Sequence, residues 1–169
     1  TTMFRATACV FAFLTTLGCT SEQETLPDVL LVTWDTVRAD HVGTDHTPVW
    51  NQLSERSAVF TEARTPVPIT LPAHASLMTG MNPPTHGARD NGTWPVNDAL
   101  PTLAERLRQG GWSTAAFISA SVLDSRYGIS RGFSTYNDHI APGKNRVVAH
   151  RTGDQTVDHA LDWLADKDD

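Results

Sequence analysis

The stretch PDVLLVTWDTVRADHVG, residues 27–43, decides the fold. Val29, Leu30, Leu31, Val32, Thr33 and Trp34 form one continuous apolar, β-branched run, and the chain then meets Asp35. A strand with one face in water alternates apolar and polar residues. A continuous run predicts instead a strand buried on both faces, as in a parallel sheet. Open α/β sheets place their sites at the carboxyl ends of the strands, so Asp35 would project its carboxylate into such a crevice. A carboxylate there suits a hard or borderline divalent metal, or it serves as a turn residue or cap. Asp40 and His41 follow in the same loop, as site residues or as solvated ones.

Working outward, Thr47-Pro48 opens a helix with Val49, Trp50 and Leu53 on one side, and Val59-Phe60 begin a short strand. Leu71 to Met78 reads as a short helix stopped by Gly80. Residues 100–108 read as a helix with Leu100, Leu103, Ala104 and Leu107 on one face, and residues 114–120 as a second buried strand. Residues 153–167 form a last helix, with Val157, Ala160, Leu161 and Leu164 at i, i+3, i+4, i+7. Strands alternating with helices predict an α/β fold, a parallel-type sheet with helices on both faces. Two strong strands are few for such a sheet, and no strand follows the final helix. The expectation is therefore the N-terminal part of a larger domain, spanning residues 28–169.

The chain has 169 residues and a formal net charge of −6 with scattered positive charges, which argues against a nucleic-acid partner. Both cysteines, Cys9 and Cys19, lie before residue 20, so the rest has no disulfide framework or thiolate metal site. Met3, Arg5 and the apolar residues 6–17 read as a targeting segment, too short for a bilayer span of about 20 residues. The alternative is a buried N-terminal helix. Thr16-Leu17-Gly18-Cys19 resembles a bacterial lipoprotein signal, with Thr16 departing from the usual aliphatic residue. That resemblance implies a signal over residues 1–19, a linker over 20–27, and an exported periplasmic or cell-envelope protein held to the membrane by lipid on Cys19.

A second stretch, PVPITLPAHASLMTGMNPPTHGARDN, residues 66–91, carries the chemistry. Thr70 stands where an apolar run at helical spacing begins, with Pro72 suited to a first helical turn. A helix N-terminus offers unpaired N–H groups and a positive dipole end to a tetrahedral anion. A hydroxyl there would attack phosphorus or sulfur once a metal stabilised it as an alkoxide. Thr70 is thus expected to be both cap and nucleophile. His74 falls one turn further on the same side, as a catalytic or a structural histidine. His86 and Asn91 complete a polar cluster, and an amide such as Asn91 either turns the chain or donates to a developing oxyanion.

Taken together, these residues resemble the N-terminal part of the sulfatase family within the alkaline phosphatase superfamily. PDVLLVTWDTVRADHVG resembles the family's first strand and metal-binding Asp. TPVWNQLSERSAVFTEA resembles the next helix and strand, and LPTLAERLRQGGWSTAAFISA the helix and strand after the active-site loop. Sulfatases carry Cys or Ser followed by x-Pro-x-Arg, the first residue being oxidised to formylglycine. Here the positions read Thr70-Leu71-Pro72-Ala73-His74, and threonine cannot become formylglycine. Asp35-Thr36 likewise departs from the paired Asp-Asp that holds calcium. Thr-x-Pro-x-His with Asp90-Asn91 is similar to the nucleotide pyrophosphatase/phosphodiesterase branch. There the threonine is nucleophile and metal ligand, and the matching asparagine stabilises the oxyanion.

The resemblance implies a metal-dependent hydrolase of small-molecule, glycan or lipid esters. Thr70, Asn91 and His74 would be catalytic, and Asp35 and Thr70 would hold one of two divalent ions, zinc by preference, with calcium or manganese as alternatives. Phosphodiester or phosphate ester chemistry is favoured over sulfate ester hydrolysis without formylglycine. A degenerate, non-catalytic anion- or partner-binding protein is the third reading. The family's remaining ligands, including an Asp-His-Gly motif, do not occur in these 169 residues, so this chain alone is expected to lack turnover.

Overall fold

The computed structural model describes residues 26–141 and 150–167. The signal segment, Cys19 and most of the linker lie outside the described residues. The chain divides into two compact units, residues 1–31 and 32–169. The described part of the first, residues 26–31, carries no helix or strand. The second holds a 3-10 turn at Ala39–His41 and the helices α1 (Pro48–Ser54), α2 (Thr70–Thr79), α3 (Pro83–His86) and α4 (Leu103–Gln109). Strands β1 (Ala115–Phe117) and β2 (Thr135–Asn137) follow, and then α5 (Gly153–Ala165).

β1 and β2 pair in parallel, with Ala115, Ala116 and Phe117 opposite Thr135, Tyr136 and Asn137. Phe117 meets Trp163 of α5 edge-on at 6.3 Å. Ile118 and Tyr136 instead join the core formed by Leu71, Ala75, Ala88, Val96, Leu123 and Ile129. The α/β class holds as helices with a small parallel sheet. β2 carries no continuous apolar run and lies outside the expected strands; its pairing comes from the loop that precedes it. Thr114 and Ser134 exchange bonds there, Ser134 Oγ donating to Thr114 O at 2.7 Å and Ser134 N to Thr114 Oγ1 at 3.1 Å.

Two expected strands are corrected. Residues 29–34 have no strand pairing, and Leu30 and Val32 are 86% and 64% exposed. An apolar run of this kind becomes a strand only when neighbours take its backbone hydrogen bonds, and no described residue does so. Val59-Phe60 also form no strand, and Phe60 is exposed. Most of the apolar face of α5 is uncovered: Ala160 is half-buried, while Val157, Leu161 and Leu164 face outward and Thr156 and Trp163 turn inward.

Helix ends follow local chemistry. α4 begins at Leu103 rather than Leu100 because Thr102 and Glu105 form a capping box, each side chain bonding the other's backbone N–H. Gly80 ends α2 in the left-handed region at φ 69°, where a glycine carries no Cβ penalty. At the carboxyl ends of both strands Arg151 acts as a buried clip. Its guanidinium donates to the Asn137 side chain at 2.7 Å, to Asn137 O at 3.2 Å and to Thr156 Oγ1 at 3.0 Å. Its backbone N–H reaches Ser119 O. One side chain thereby ties the start of α5 to β2.

Candidate active site

The site is built on the first turn of α2. Leu71, Pro72 and Ala75 of that helix are buried, which fixes its orientation and leaves Thr70 at the rim. Thr70 is the first helical residue, with Ile69 at the cap position, and its side chain caps nothing. The expected capping role is therefore corrected. With the backbone already helical, the Thr70 hydroxyl is free to turn outward, and it donates to Asp35 Oδ2 at 3.1 Å.

The cap comes from Asn91, whose Oδ1 accepts from the Leu71 N–H at 2.9 Å. That bond satisfies one of the orphan donors of the helix N-terminus. It also identifies the oxygen end of the amide, so Nδ2 carries two N–H donors with no protein partner among the described residues. Pro72 has no N–H, and the Ala73 N–H is taken by Ile69 O. The donors left for an anion are thus the Thr70 N–H and Asn91 Nδ2.

His74 lies one turn along. Its Nδ1 bonds Thr70 O at 2.8 Å and its Nε2 pairs with Thr33 Oγ1 at 3.1 Å. Thr33 had no place among the expected site residues. A lone threonine in an apolar run gives no signal of its own, and only the fold sets it against a histidine. Thr36, directly after Asp35, is the one non-glycine residue at positive φ among the described residues, at 60°. A β-branched residue there costs about 1–3 kcal/mol, and such strain concentrates at functional sites. Asp40 is paired with Arg38 at 2.6 Å on the surface, and His41 stacks against His46; neither bonds to Thr70 or Asp35.

His86 is fully buried and belongs to the frame of the site. Its Nδ1 accepts from the Ala88 N–H at 3.2 Å, so Nε2 carries the proton and donates to Ser76 Oγ at 2.9 Å. Ser76 passes the chain on to Pro72 O at 3.0 Å. The loop that delivers Asn91 is thereby fastened to α2. Burial lowers the His86 pKa below its ordinary 6.5, the backbone contacts only partly opposing it. On acidification the unfolded chain takes up this proton first. The stability from neutral His86 is thus complete above about pH 6.5 and is lost as pH falls toward the lowered folded value. Urea midpoints between about pH 8 and about pH 5 should fall less steeply in His86→Gln than in the parent. Equal slopes would remove His86 from the acid transition.

The sulfatase family model matches residues 27–169. The chain belongs to the sulfatase family. No curated protein and no solved structure matches it. Membership places this sulfatase chain among hydrolases of the sulfatase and alkaline phosphatase type, whose enzymes generally use divalent metal ions. Asp35 Oδ2 and Thr70 Oγ1 are convergent oxygen donors of the kind such ions take. A catalytic zinc takes three protein ligands and a water. Among the described residues no group of three or more His, Cys, Asp or Glu side chains gathers to hold an ion. Two oxygen donors would fill at most two positions of such a shell.

Proposed function

We propose that this sulfatase-family chain carries the nucleophile of a metal-dependent ester hydrolase, with Thr70 as the attacking group and phosphodiesters or phosphate esters as the favoured substrates. The observation that carries this reading is the Thr70 hydroxyl donating to Asp35 at 3.1 Å from the first turn of a helix. A neutral hydroxyl is a weak nucleophile. Asp35 and Thr70 would hold a divalent ion, zinc by preference, and the ion would stabilise the Thr70 alkoxide. With its proton passed to solvent, Thr70 Oγ1 attacks phosphorus in line, the ester oxygen leaves with its electron pair and takes a proton from water, and a second water then cleaves the phosphothreonine. The Asn91 Nδ2 and the Thr70 N–H stabilise charge developing on the non-bridging oxygens.

Family membership favours a second reading, in which Thr70 attacks sulfur in a sulfate ester without formylglycine. Assays of the full-length protein on bis-p-nitrophenyl phosphate, p-nitrophenyl phosphate and p-nitrophenyl sulfate separate the two. Export and lipid attachment at Cys19 rest on the residues before 25 and are tested by mass spectrometry of the mature N-terminus.

Asp35→Asn provides the direct test of metal binding. Asparagine keeps an acceptor for the Thr70 hydroxyl, so the fold is retained while the charge that holds the ion is lost. Metal analysis of the purified full-length variant should show lower metal content, with thermal stability of the metal-free forms nearly equal. Unchanged metal content with full activity would exclude Asp35 as a ligand.

A further inference from the structure

We propose that Thr33 is a positioning residue of this site, acting through His74 to hold Asp35 in register with Thr70; the proposal rests on Thr70 being the nucleophile. The directions of the hydrogen bonds carry it. Thr70 O is a carbonyl and only accepts, so His74 Nδ1, 2.8 Å away, carries a proton. In the neutral ring Nε2 then has a lone pair, and the Thr33 hydroxyl at 3.1 Å donates to it. Both ring nitrogens are engaged, which makes His74 a strut and leaves no N–H aimed at a substrate.

The strut has a specific load. Residues 33–35 have no strand pairing and are exposed, and apart from the contact of Trp34 with Trp50 at 5.9 Å it is bonds to α2 that order the Asp35 carboxylate. Two bonds join this segment to the first turn of α2: Asp35 to the Thr70 hydroxyl, and Thr33 through His74 to the Thr70 carbonyl. The first is lost once the Thr70 hydroxyl gives up its proton and stays lost in the ester, because neither oxygen has a hydrogen to donate. The second uses the backbone carbonyl and survives esterification. Thr33 and His74 thus keep Asp35 in place while the covalent intermediate waits for water.

The test compares Thr33→Val, which keeps the shape and loses the hydroxyl, with Thr33→Ser, which keeps the hydroxyl and loses the methyl. In the full-length protein with added zinc or manganese, kcat on bis-p-nitrophenyl phosphate should fall about 10- to 100-fold in Thr33→Val, with KM near the parent's. Thr33→Ser should recover most of that loss. A packing role predicts the reverse order, since valine fills the space better than serine. The His74 Nε2 nitrogen-15 shift supplies a readout independent of turnover; it should move in Thr33→Val and stay in Thr33→Ser. Thr70→Ala is run alongside. If it is inactive while Thr33→Val keeps kcat within about twofold, the positioning role falls and the nucleophile stands. If Thr70→Ala keeps activity, both fall together.

Discussion

Replacing Thr70 by alanine in the full-length protein is expected to lower kcat by about 10³-fold or more, equivalent to about 4 kcal/mol of barrier. The substitution removes one hydroxyl from the rim of α2 and should leave the helix intact. Thr70 caps no backbone group, Asn91 supplies the cap at Leu71, and the buried residues of the helix are Leu71, Pro72 and Ala75. Alanine is moreover a strong helix former. Activity and stability therefore separate at this position. Thr70→Ser should keep measurable turnover, because the oxygen and its reach to Asp35 are retained. Burst kinetics with a chromogenic phosphodiester would reveal a covalent step in the parent and none in the alanine variant. Turnover of Thr70→Ala within about tenfold of the parent would mean that the hydroxyl only orders Asp35.

The largest expected effect on stability lies far from Thr70 in sequence, at Gly132. A Cβ built there runs into Glu105 N and meets Ala104 C at 2.5 Å and Glu105 Cα at 2.7 Å, and the residue sits at φ 93°. All three contacts are helical backbone, which cannot rotate away as a side-chain tip can. The surroundings are also pinned. Thr102 Oγ1 donates to Arg131 O at 2.8 Å, and Thr114 Oγ1 donates to Gly132 O at 2.7 Å. Gly132→Ala thus combines a left-handed backbone penalty with overpacking, and a loss of about 3 kcal/mol or more is expected. Against a typical total of about 5–15 kcal/mol that is a large share. A urea titration measures it; a loss under about 1 kcal/mol would show that the 131–132 loop can move off α4.

Local signals account for much of the architecture. The α2 helix is legible from Pro72 and the apolar spacing of Leu71, Ala75 and Met78, and its end from Gly80. The start of α4 is equally local in its cause, since Thr102-Leu103-Ala104-Glu105 spells its capping box, although the expected start at Leu100 passed over that signal. These features need only residues within one turn of each other. The residues 29–34 show the limit: their composition asks for a strand, but a strand exists only where a neighbour takes its hydrogen bonds. β2 shows the converse, a strand made by pairing rather than by its own composition.

The candidate site divides the same way. Residue type alone leaves Thr70, Asp35, His74 and Asn91 open between site roles and ordinary turn, cap or structural roles; it is their order and spacing, read with the flanking stretches as a resemblance to the sulfatase family, that marks them as candidates. Which of them touch is a tertiary matter. Asp35 reaches Thr70 across 35 residues, Asn91 reaches Leu71 across 20, and Thr33 reaches His74 across 41. Capping passes from Thr70 to Asn91, and His86 becomes a buried neutral link to Ser76, for a reason no local pattern contains. A hydrogen bond is satisfied by whichever partner the packed core brings within about 3 Å, and distance along the chain does not set that partner.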